Sequence, residues 1–177
     1  MSDARTRTRA ALALVFWLAH GFSTAVRCAG ADPPDFHVFL SGKERMVVNT
    51  AIAGAVRRLA NPECQRLFTD FVDRAGHTLS ANLEALGKTP AEHLAELYFV
   101  AGDTTNQCRL DETNAAFTTP HSRVIYMCSA RFADRFARKT AGGEILIIHE
   151  LLHTLGLGEN PPTSAQITRA VMNRCGK

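Results

Sequence analysis

No stretch of this sequence is apolar for long enough to span a bilayer, and no internal repeat or low-complexity tract runs through it. Net charge is nearly absent as well. The formal value of +3 comes from the first 31 residues, where Arg5, Arg7, Arg9 and Arg27 face the single acid Asp3. Setting those four of 20 basic residues and one of 17 acidic residues aside leaves 16 of each. No basic face remains to recruit nucleic acid or a membrane surface. Charge is also too sparse for disorder: 21% of the chain is charged and 46% hydrophobic, within the globular range. At 177 residues the chain has room for one domain with a sizeable core, but not for two ordinary ones.

What is present begins with an export pattern. The arginines at 5, 7 and 9 precede the apolar run AALALVFWLA from Ala10 to Ala19, and small residues follow it. A charged start, a short apolar stretch and small residues match a secretory signal peptide, with an uncleaved anchor as the competing reading. Cleavage fits after Ala25 or after Ala31, so residues 1–31 are expected to be the signal and 32–177 the domain, secreted or periplasmic. Arg27 argues against a lipoprotein signal ending at Cys28. Cleavage after Ala31 leaves Cys64, Cys108, Cys128 and Cys175, which in an exported chain imply two disulfides. Three pairings are possible; Cys108–Cys128 as the local pair and Cys64–Cys175 as a tie for the tail is preferred.

Helical patterning dominates the first half of the domain. DPPDFHVFLS (32–41) is Pro-rich, then briefly extended, and is expected to be a leader. Met46, Val47, Ala51, Ala55, Val56 and Leu59 share one face of a helix over 44–60. Asn61-Pro62 opens a second helix, a third runs near 79–87 and stops at Gly87, and Thr89, Pro90 and Glu92 form a capping box for a fourth. Short β-prone runs follow at 98–101, 116–119 and 123–128, the last two joined by the turn at 120–122, then a helix over 130–138. Gly142-Gly143 is expected to break the chain before one last long element.

That element, EILIIHELLHTLGLGE from Glu144 to Glu159, is apolar on all faces and so expected to be a buried helix. Two imidazoles and a carboxyl buried without partners would cost several kcal/mol, and a metal supplies the partner. His149 and His153 are four apart, so both rings project from one face and reach a single Zn²⁺. Glu150 stands beside them, placed to act on a water in the open metal position. Gly156 lets the helix end through a left-handed residue, turning the chain back so that Glu159 also reaches the metal. Beyond His153 the chain has no His or Asp and no other acid, which leaves Glu159 or Cys175 as a third ligand from this end, or else water or an upstream residue. Spacing favours Glu159.

At these residues the chain resembles the metzincin clan of zinc peptidases, whose pattern is HExxHxxGxxH; here it reads HELLHTLGLGE, an HExxHxxGxxE variant. LGLGENPPTS and the closing helix are also similar to a group of secreted bacterial zincin-like proteins. The resemblance implies an α+β fold: a helix-rich single domain with a small mixed β-sheet and a buried active-site helix. It implies a zinc-dependent metallopeptidase with metal ligands His149, His153 and Glu159, catalytic Glu150 and a peptide or protein substrate. Nucleic acid and stable membrane insertion are not expected. A zinc-binding or partner-binding module without catalysis is the alternative, and a hydrolase for another amide is a further one. Metzincins carry a Met turn beneath the zinc; Met172 is the one Met downstream, but it lies in a helical pattern with Ile167, Val171 and Cys175. Tyr126 and His121 are the nearest candidates to steady an oxyanion, and His37, His77 and His93 are expected at the surface.

Overall fold

Periodic burial along the chain explains most of the architecture. The computed structural model describes residues 36–176; the expected signal segment, Cys28 included, and residues 32–35 of the Pro-rich stretch lie outside them. In chain order the elements are β1 (His37–Phe39), α1 (Gly42–Leu59), α2 (Pro62–Gln65), α3 (Leu67–Asp70), α4 (Leu79–Leu86), α5 (Pro90–Ala95) and β2 (Tyr98–Ala101). There follow α6 (Asn106–Leu110), β3 (Ala116–Phe117), β4 (Val124–Met127), α7 (Ser129–Phe136), α8 (Thr140–Thr154) and α9 (Ser164–Cys175). The fold is α+β, with one mixed sheet of order β1-β2-β4-β3; β1, β2 and β4 run parallel and β3 antiparallel. No helix of the described residues is long and apolar enough to cross a membrane.

Strand alternation divides the sheet into two faces. Val38, Phe99, Ile125 and Met127 point into the core, while Phe39, Tyr98 and Tyr126 stand at the surface. The helices gather on the buried face around α8, against which α1, α7 and α9 all pack. On α1, Val48, Ala51, Ile52, Ala55 and Leu59 bury one stripe at helical spacing. A largely buried ion pair, Arg58 Nε to Glu144 Oε2 at 2.6 Å, joins α1 to α8, and Arg58 Nη1 donates to the Cys175 carbonyl at the end of α9. The disulfides are Cys64–Cys175, tying α2 to α9, and Cys108–Cys128, tying α6 to the end of β4.

Several expectations need correction. The leader at 32–41 is more than a leader: its residues 37–39 form β1, hydrogen-bonded to a strand some sixty residues on. The helix expected from Asn61 is interrupted at Arg66, giving α2 and α3. The Asn61 side chain caps α2 and the Thr89/Glu92 box caps α5, as their sequences imply. Gly142-Gly143 does not break the chain but lies in the first turn of α8. A Cβ on Gly143 would sit 3.2 Å from Phe132 and 3.3 Å from Ala51, so these glycines serve close packing against α7 and α1. His93 is buried on α5, its Nε2 3.1 Å from the Thr154 hydroxyl, and is not a surface residue.

Candidate metal centre

The geometry begins with how α8 ends. Gly156 adopts φ +104°, and the Gly156 N–H donates to the His153 carbonyl (2.8 Å) while the Leu157 N–H donates to the Leu152 carbonyl (3.2 Å). These two bonds form a Schellman cap, with Leu152 and Leu157 both buried beneath it. Side chains disfavour that φ, and a Cβ at Gly156 would come within 2.4 Å of the His121 ring. The cap reverses the chain and carries Glu159 back over the face of α8 that presents both histidines.

His149 Nε2 and His153 Nε2 lie 3.1 Å apart. Glu159 Oε1 lies 3.8 Å from the first and 3.4 Å from the second. Zinc bonded to such atoms at about 2.0–2.2 Å spans tetrahedral edges of about 3.3–3.6 Å; the three separations bracket that range, so small shifts would let the three atoms hold one small cation. Their chemistry fits as well. His153 Nδ1 lies 2.7 Å from the Leu157 carbonyl, which accepts only, so this nitrogen carries the proton and Nε2 keeps a lone pair. His149 Nδ1 lies 3.0 Å from the Thr168 hydroxyl of α9, which can orient it in the same way. Both histidines are buried, whereas the Glu159 side chain is 40% exposed.

Burial and neighbouring charge shift two groups here. With protein groups alone around it, Glu150 is pushed up to about 8, first by burial and then by the Glu159 carboxylate, against the opposing N–H of Thr118. Burial, assisted by His153, draws His149 down to about 4, which keeps its imidazole neutral and able to bind metal.

His149, Glu150, His153 and Glu159 line one cleft of about 580 Å³, a size suited to a small ligand or a few residues of a peptide. Its opposite wall is the segment 111–120, irregular apart from β3. Two α7 arginines one turn apart hold that wall by main-chain carbonyls. Arg131 donates to the carbonyls of Cys108, Asp111 and Asn114, and Arg135 to those of Glu112 and Thr113. The turn after β3 is fixed to α8, since the His121 N–H donates to the His153 carbonyl.

The other sequence candidates fall elsewhere. Met172 is 57% exposed on α9 and provides no floor beneath the histidines. Tyr126 stacks on Phe117, and neither it nor His121 lines the cleft. Cys175 is committed to Cys64 and is removed as a ligand candidate. Thr168, Thr118 and the arginines of the wall went unsuspected in the sequence. Thr168 could have been found only by asking which α9 residue faces α8 once the two helices pack together.

Neither a family profile, nor a curated protein, nor a solved structure matches the chain, so the candidate site rests on its own geometry and chemistry.

Proposed function

We propose that the protein is a secreted or periplasmic zinc-dependent metallopeptidase, metzincin-like in its HExxHxxGxxE variant. One observation carries this reading: Nε2 of His149, Nε2 of His153 and Oε1 of Glu159 converge within the reach of one ion, beside buried Glu150 in an open cleft. Two disulfides accord with an exported chain. Zinc held by these three residues supplies Lewis acidity, making a water more acidic and polarising a carbonyl. Glu150 takes the proton of the attacking water as its oxygen bonds to the carbonyl carbon. It then gives that proton to the leaving nitrogen as the C–N bond breaks. Thr168 and the Leu157 carbonyl hold the two imidazoles in the orientation that presents Nε2.

The non-catalytic alternative is favoured by one observation: among the described residues, no Tyr or His other than the ligands lines the cleft to steady an oxyanion. The deciding experiment is cleavage of a random peptide library by the zinc-loaded chain and by Glu150→Gln. Peptidase action predicts products with the first and none with the second, at equal zinc content. A zinc-loaded wild type that cuts nothing would favour the binding module.

A further inference from the structure

Arg74 lines the same cleft as the two histidines and the two glutamates, and no carboxylate among the described residues lies within ion-pair distance of it. Its neighbours fix the turn that bears it. Asp73 is buried and accepts from the Ala75 N–H (2.8 Å), the His77 N–H (2.9 Å) and Asn82 Nδ2 (3.0 Å), which makes the turn rigid. Asn82 Nδ2 also donates to the Leu155 carbonyl at 2.9 Å, in the cap of α8. The turn that bears Arg74 is thus bonded to the helix that bears the metal ligands. Room for the side chain comes from Gly158, next to Glu159: a Cβ there would lie 3.0 Å from Arg74 Nε. The guanidinium therefore crosses the loop that delivers the third ligand, at the rim shared with a second cavity lined by Phe71, Leu157 and Pro162.

A cation carried on a turn bonded to the helix of the two histidines, whose guanidinium has no hydrogen-bond partner among the described residues, is a receptor for an anion. Resting on the metallopeptidase reading, we infer that Arg74 is a specificity-determining residue that binds a carboxylate of the substrate. Two sources share that chemistry, the C-terminus of a peptide and an acidic side chain near the scissile bond. The guanidinium meets either through paired N–H···O bonds while the metal end engages the peptide carbonyl. Lysine, a point charge without the planar fork, would serve less well.

The test is isothermal titration of the zinc-loaded full chain with peptide hydroxamates, whose binding needs no turnover. One set, HONHCO–CH2CH2–CO–Ala–X, has a free or amidated end; the other, acetyl–X–Ala–NHOH, extends the opposite way; X is Glu or Gln in each. At least one carboxylate probe should bind about tenfold more tightly than its amide counterpart. Arg74→Ala should erase that difference, Arg74→Lys should keep part of it, and both should leave binding of the amidated Gln probe unchanged. A preference at the free end identifies chain-end recognition, and one at Glu identifies an acidic side chain. Equal binding of all probes by the wild type, or a preference that survives Arg74→Ala, would overturn the inference. Failure of the wild type to bind any hydroxamate would remove the metal reading, and this inference with it.

Discussion

The two walls of the cleft are built in opposite ways. The α8 side is regular: helix, Schellman cap and α9, with the histidines buried and each outer ring nitrogen within hydrogen-bonding distance of an oxygen. The facing wall at 111–120 is mostly irregular chain, held by one disulfide and by arginine donors to its carbonyls. A metal needs three atoms fixed to within a fraction of an ångström, which a packed helix provides. A peptide of variable sequence needs a surface that can be reshaped residue by residue, and a clamped loop provides that. The division implies that damage to the first wall removes metal and chemistry together, while damage to the second changes substrate affinity alone.

The largest expected effect follows from deleting a ligand. His153→Ala should lose zinc retention outright, read by elemental analysis, and with it all peptide hydrolysis. Glu150→Gln should keep one zinc per chain yet lower kcat by about a hundredfold or more, measured at saturating peptide. Cutting the frame beneath the helical wall comes next. Replacing Cys64 and Cys175 by Ser frees a pair 111 residues apart and should cost about 4 kcal/mol in denaturant unfolding. Arg58→Ala, which strands Glu144 in a largely buried place, should cost about 3 kcal/mol by the same measurement. On the other wall, Arg131→Ala should raise KM several-fold with zinc content unchanged; loss of zinc in that variant would contradict the division.

The smallest effect is acidic. Hydrogen bonds from Asn82, His77 and Ala75 hold the Asp73 carboxyl near 2 against an ordinary 3.8. Because the folded value is depressed, its contribution to stability is present above about pH 4 and is lost as pH falls towards about 2. Asp73→Asn should flatten that stretch of the acid-unfolding curve while leaving the neutral baseline folded.

The convergence of His149, His153 and Glu159 was legible in the sequence because its signals are local. His149 and His153 share a helix face by spacing alone, and Gly156 announces the turn that returns Glu159. Caps at Asn61 and Thr89 were legible for the same reason, as each depends on residues within one turn. What escaped depends on contacts between distant parts of the chain. Three residues, 37–39, are too few to show alternation, and β1 exists because β2 offers it an edge. Gly142-Gly143 has the composition of a break, yet the tight approach to Phe132 and Ala51 turns it into helix. His93 has no sequence feature that separates a buried imidazole from an exposed one; Thr154 decides it. Arg74 gains its inferred role only from the cleft and from Gly158, more than eighty residues away.

The central claim is that one ion is held by His149, His153 and Glu159. Zinc stoichiometry of the purified chain, set beside that of Glu159→Ala after dialysis against a weak chelator, tests it most directly. The account predicts close to one zinc per wild-type chain and a clear loss in the variant. Wild-type protein that retains no zinc when folded with it, or a variant that holds zinc as tightly as wild type, would contradict it.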